Sequence, residues 1–203
     1  MKTFKILLLI LCLTAFAGFL PAQEPGDKKA LADAESFVKE AREYIEKQGE
    51  PHLVIADLAD HKESSKPVWT RFETQEAFEN TEGEDIYTIA LIWTKDERVL
   101  AVNFTYTSPS GDWAHYVDHI FHPSGYAVQI RKELRTFNGD MIVVRNVLFD
   151  SYAKELKSTK EYFDLNTQKP VKATDNFQDV DVDVYIRASD LPFFDLLKVS
   201  GKQ

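Results

Sequence analysis

IYTIALIWTKDERVLAVNFTYTSPSGDWAHYVDHIFHPSGYAVQIRKELRTFNGDMIVVRNVLF, from Ile86 to Phe149, is the stretch that decides the fold. Apolar and β-branched segments alternate there with turn signals roughly every 14 residues. The turns are Lys95-Asp96-Glu97-Arg98, Ser108-Pro109-Ser110-Gly111-Asp112, His122-Pro123-Ser124-Gly125-Tyr126 and Asn138-Gly139. Long strands joined by tight turns make an antiparallel meander. Asp96-Glu97 and Asn138-Gly139, read as two-residue turns, pair Lys95 with Arg98 and Phe137 with Asp140. Each Pro-Ser-Gly supplies a type I turn followed by a left-handed glycine, which pairs Ser108 with Asp112 and His122 with Tyr126.

Propagating these pairings predicts the register. Tyr87, Ile89, Leu91 and Trp93 fall opposite Tyr106, Phe104, Val102 and Leu100. Tyr116, Asp118 and Ile120 follow on the other side of Phe104, Val102 and Leu100. Val128, Ile130, Lys132 and Leu134 come next, and then Phe149, Val147, Arg145 and Val143. Nearly all of these are apolar and share one face. Side chains alternate with period two, so a slip of one residue would scatter them. The second face carries Thr105, His115 and Glu133 in one row, Asn103, Val117 and Arg131 in the next, and Ala101, His119 and Gln129 in the third.

Outward from this stretch, Asp27 to Gln48 reads as an amphipathic helix. Leu31, Ala34, Val38, Ala41 and Ile45 recur at helical spacing, with Phe37 and Tyr44 widening the stripe. Asp27 is placed to cap its start, and Gly49 and Pro51 end it. Leu53 to Leu58 and Trp69 to Glu73 read as short strands, and Thr74 caps a turn or two of helix through Phe78. Further strands are expected at Tyr152 to Thr159, Glu161 to Leu165 and Val180 to Arg187, then a short C-terminal helix at 189–198 opened by Ser189. The expected fold class is α+β: an N-terminal helix at 27–48 packed by its apolar stripe on a long, curved antiparallel meander of about six to eight strands, 86–187, in a single domain at 23–203. In architecture alone this is similar to cystatin-like modules and to the half-barrel lipid carriers of the bacterial envelope, a likeness that carries no function.

Residues 1–22 read as a cleaved signal peptide. Lys2 and Lys5 precede an apolar run from Ile6 to Ala17, which is shorter than the ~20 residues a membrane-spanning helix needs. Cleavage fits after Ala22, where Gln23, Glu24, Pro25, Gly26 and Asp27 begin a polar terminus. Cys12, the single cysteine, lies within the run behind Leu9, Ile10 and Leu11 rather than at a cleavage point, so lipidation is not expected. The processed chain would hold no thiol, no disulfide and no transmembrane anchor. These features place the protein outside the cytoplasm, in a periplasm or secreted. The formal net charge is −9, and loss of two leader lysines makes the remainder more acidic, which disfavours nucleic acid and anionic membranes as partners.

No nucleophile elbow, glycine-rich phosphate loop or helical zinc-protease motif occurs, and no cofactor is implied. His115, Asp118, His119 and His122 would share a helix face. On a strand, however, His115 and His119 lie ~13 Å apart and Asp118 points away. A metal or hydrolytic site using His115, His119 and Glu133 is therefore the minor reading. The leading one takes Asp118, Lys132 and Arg145, which interrupt the apolar face near Tyr106 and Tyr116. Charges on a core-facing surface must be paired or reach water. Together with aromatic walls they predict a small-ligand cavity lined by Tyr106, Tyr116, Asp118, Lys132 and Arg145. Asp179-Val180-Asp181-Val182-Asp183-Val184 lacks the glycine and distal glutamate of a calcium loop and reads as an acidic strand face. His52, Asp57, Asp60 and His61 match no ligand spacing. The expectation is a non-enzymatic binding protein for a small apolar or amphiphilic ligand. The alternative partner is an envelope protein held through the sheet's outer face or edge.

Overall fold

The computed structural model describes residues 25–59, 66–81, 86–172 and 179–197. The expected leader at 1–22 lies outside them, as do Asp60, His61, Glu82, Glu84 and Asp85. A helix, α1 (Pro25–Gln48), precedes strands β1 (Leu53–Asp57) and β2 (Trp69–Phe72), a short helix α2 (Gln75–Glu79), and strands β3 (Thr88–Lys95), β4 (Arg98–Thr107), β5 (Trp113–Phe121), β6 (Ala127–Thr136), β7 (Met141–Phe149) and β8 (Glu155–Asp164). All eight strands form one antiparallel, unclosed sheet in the order β2-β1-β3-β4-β5-β6-β7-β8. Neither described α-helix is long and apolar enough to cross a membrane.

Local chemistry accounts for the element ends. Gly49, at φ +75°, takes the left-handed conformation that closes α1, and its N–H bonds to Ile45 O at 3.1 Å. Thr74 Oγ1 accepts from Ala77 N at 3.0 Å and caps α2, as expected. Asp27 does not cap α1. It sits inside the first turn and accepts from Lys154 Nζ at 2.7 Å. The strands expected on either side of Lys160 are one strand, β8. The Asp-Val repeat is not a strand: residues 179–185 cross a sheet face, where there is no edge to pair with, and of the expected strand Arg187 alone, among the described residues, forms a bridge, to Tyr126. The C-terminal helix is replaced by two 3-10 turns, Ala188–Asp190 and Phe194–Leu197, because Pro192 cannot continue a helix.

The turn at 95–98 forms as read, as do those at 122–126 and 137–140, and the β6–β7 register agrees throughout, with Leu134 on Val143 and Lys132 on Arg145. The other three registers are each off by one residue. Between β3 and β4 a bulge makes Leu100 an extra residue, so Trp93 pairs with Ala101 and Phe104 with Ala90. Between β5 and β6 Val128 is the extra residue, so Ile120 pairs with Gln129 and Val117 with Lys132. The loop at 109–112 holds four residues: Ser108 N bonds to Trp113 O at 3.1 Å, which shifts β4 against β5 and pairs Phe104 with Val117. A third bulge makes Leu156 extra on β8.

Each bulge interrupts the alternation and turns two consecutive residues toward α1. Leu100 and Ala101 pack with Ala34, Val38 and Ala41 of the helix, as do Trp93, Ile120 and Leu148. Val128 joins that cluster and Gln129 bonds to Arg42, while Leu156 packs on it and Lys157 bonds to Glu35. Apolar residues are thereby divided between two covered faces instead of gathered on one. The second face holds Ile55, Ala90, Ile92, Val102, Phe104, Val117 and Ile130 beneath Val182, Tyr185, Ala188, Leu191 and Phe193. Residues 179–193 act as a strap over it.

A cleft between helix and sheet

Where the helix leaves the sheet, a cleft of about 250 Å³ opens between the second half of α1 and strands β3 to β5. Ile45, Trp93, Ala101 and Ile120 supply apolar walls, and Arg42, Glu46, Asn103 and Asp118 the polar ones. The register puts Asn103 directly across from Asp118 and Asp118 across from Arg131. Asn103 Nδ2 donates to Asp118 Oδ1 at 2.6 Å, while Asp118 Oδ2 lies 3.7 Å from Arg131 and 4.0 Å from Arg42. Arg42 also donates to Gln129 Oε1 at 2.8 Å, and Gln129 in turn to Asn146 at 2.7 Å. The indole Nε1 of Trp93 is buried with no hydrogen-bond partner among the described residues. Burying such a donor unmet costs ~1–3 kcal/mol. The site thus offers an apolar pocket with a pre-oriented carboxylate and a guanidinium at its rim.

The five residues expected to line one cavity lie on two faces. Tyr116 and Asp118 are on the helix face. Tyr106, Lys132 and Arg145 are on the strap face. Of the five, the cleft holds Asp118 alone. Tyr116 lies two residues along β5, beneath the Arg135 guanidinium at 5.5 Å. Tyr106 stacks on Phe104 at 5.6 Å, and burial, with Tyr185 and Asp183 nearby, raises its phenol well above the ordinary value. Lys132 pairs with Asp181 at 3.4 Å, and Arg145 with Asp179. The strap aspartates thus satisfy the charges that the sequence reading had sent toward a ligand.

The histidines are likewise separated from their expected partner. His115 pairs with Tyr106 and Leu134, whereas Glu133 pairs with Tyr116 and faces the other way. No group of three potential metal ligands occurs among the described residues. Both histidines lie beneath the strap, 2 % and 0 % exposed. His119 Nε2 accepts from Tyr185 N at 3.1 Å, with its ring among Phe104, Phe121 and Tyr185. Burial pushes both imidazoles down to about 4. Partial burial pushes the Glu133 carboxyl up, but hydrogen bonds from Arg131 and Arg135 outweigh it and hold it below the ordinary range.

Arg42, Trp93 and Asn103 escaped the sequence reading. Arg42 follows Ala41 at the flank of the helical stripe, a place where a charge is ordinarily solvated. Asn103 would have been found opposite Asp118 had the 109–112 loop been read as four residues. Set against models of known protein families, against curated proteins and against solved structures, the chain matches none.

Proposed function

We propose that this protein binds a small ligand outside the cytoplasm, in the cleft between α1 and the sheet. The observation that carries the reading is the convergence of Asp118, Asn103 and Arg42 beside a buried, unpartnered Trp93 indole in an otherwise apolar pocket. Ligand sites typically combine an apolar lining with a few placed polar groups. At about 250 Å³ the space falls just short of the ~300–1,000 Å³ typical of such pockets. That suits a compact amphiphile whose apolar part lies against Ile45, Trp93 and Ile120 and whose polar end meets Asp118 and Arg42. Asp118 holds three donors around it and serves orientation. The polar leader at Lys2 and Lys5 and its apolar run support export.

Native mass spectrometry of the protein purified from its own host tests this. The expected result is an excess mass of small-molecule size that organic solvent extracts, and that is missing from Ile45→Trp, which fills the cleft from a half-buried position. A bare chain, or an excess that Ile45→Trp retains, sinks the reading.

A further inference from the structure

Lys132, Arg145 and Lys160 stand abreast in one cross-strand row, Lys132 opposite Arg145 and Arg145 opposite Lys160. Like charges side by side on a sheet repel. The row is closed by the strap: Asp179 meets Arg145 and lies 3.8 Å from Lys160, and Asp181 lies 3.4 Å from Lys132. Among the described residues the strap sets two carboxylates against this row, and one of them, Asp181, has a fully exposed side chain. Two polar atoms in the cluster remain unmet: the donor Arg145 Nε and the ring nitrogen His115 Nδ1 are buried without a hydrogen-bond partner among the described residues, and His115 is 2 % exposed.

The strap is anchored unevenly. Its far half is fastened by Ala127 N to Ile186 O at 2.8 Å, Ala188 N to Gly125 O at 2.9 Å, and buried Leu191 and Phe193. Residues 180–184 make no backbone hydrogen bond to the sheet among the described residues. Their hold is the two aspartates and the packing of Val180 and Val182. Asp181 reaches Lys132 from open solvent, and a carboxylate so exposed contributes little.

We infer that the row of Lys132, Arg145 and Lys160 is a binding site for a small dicarboxylate, occupied in this structure by the protein's own Asp179 and Asp181 as a displaceable stand-in. The strap shows the geometry the row accepts: two carboxylates up to roughly 7 Å apart along an extended backbone. A guanidinium takes a carboxylate through two parallel N–H bonds, so a free ligand can use Arg145 Nε as well as a terminal nitrogen. A dicarboxylate carries four acceptor oxygens with no peptide geometry to limit them, enough to reach the Arg145 Nε donor the strap leaves unmet. The near half of the strap lifts as it enters while the anchors at Ile186 to Phe193 hold.

Titration calorimetry with adipate at low ionic strength tests this on the purified protein. Asp179→Asn/Asp181→Asn removes the stand-in and is expected to bind adipate roughly tenfold tighter than the unaltered protein. Adding Lys132→Gln and Arg145→Gln to that variant is expected to abolish binding. Glu43→Gln/Glu50→Gln makes the same change in net charge on exposed parts of α1 and its end, and is expected to leave affinity unchanged. The site assignment is overturned if the asparagine variant binds no tighter than the unaltered protein, if the Glu43/Glu50 control reproduces the gain, or if binding survives loss of the two cations. It is also overturned if the asparagine variant loses its folded near-ultraviolet dichroism, since the aspartates would then be structural clamps.

Discussion

His115 and His119 are neutral because their surroundings cannot solvate a charge. For His115 the neighbours Lys132 and Arg145 oppose protonation further, against Asp179 and Asp181, which favour it. In the unfolded chain both return to the ordinary 6.5, so between pH 6.5 and about 4 the unfolded state binds more protons than the folded one. Stability is then complete above pH 6.5 and falls as pH drops toward 4. At pH 5 the loss is on the order of 2 kcal/mol per histidine. Urea unfolding at pH 7.5 and 5.0 measures it, and His119→Gln, which keeps an acceptor for Tyr185 N but does not titrate, should halve the difference. An unchanged difference would place the effect elsewhere. At this same scale the sequence was partly legible. Thr74 announced its cap by chemistry, and Gly49 its stop. The burial of two histidines did not show, because nothing near His115 or His119 in sequence reveals that a segment some 60 residues later will cover them.

Among the elements, the strap is the one whose loss should be felt most. Ala188, Leu191 and Phe193 are all less than 9 % exposed and roof the cluster containing Phe104, Val117 and Ile130. Full burial of a Leu or Phe side chain contributes ~1.5–3 kcal/mol. A chain ending at Lys172 should therefore unfold several kcal/mol more readily and bind a hydrophobic dye. A truncated chain with an unchanged urea midpoint would show the strap to be ornamental. The strap was misread because Asp-Val alternation has the period of a strand, and period alone does not distinguish a segment paired at an edge from one laid across a face. The meander was read well for the opposite reason. Turn residues set the hairpins locally, and Gly125 and Gly139 adopt the left-handed conformation the turns require, at φ +87° and +84°. Bulges carry no comparable residue signature, so Leu100 and Val128 read as ordinary strand positions, and with the 109–112 loop one residue longer than expected three registers slipped by one.

For the whole molecule, those slips decided the candidate site. A single expected face with five ligand residues became two faces, each covered, with Asp118 in the cleft and Lys132 and Arg145 under the strap. Class and strand count were legible from periodicity and turns, because those are local properties. Which charges meet depends on the phase of every strand, and one extra residue inverts it. The same arithmetic run backwards says something about chain length. Because the pairs on either side of Leu100, Val128 and Leu156 already match, removing any one of the three leaves every other cross-strand partner in place. A deletion there should cost only one apolar contact with α1, ~1–3 kcal/mol, whereas deleting Val117, in a strand that carries no extra residue of its own and is paired on both sides, must re-pair half a strand and should prevent folding. Thermal unfolding of the Val128 and Val117 deletions separates the two cases. The sheet thus holds three places where an ancestor or a descendant of this protein could be one residue shorter and still be the same fold.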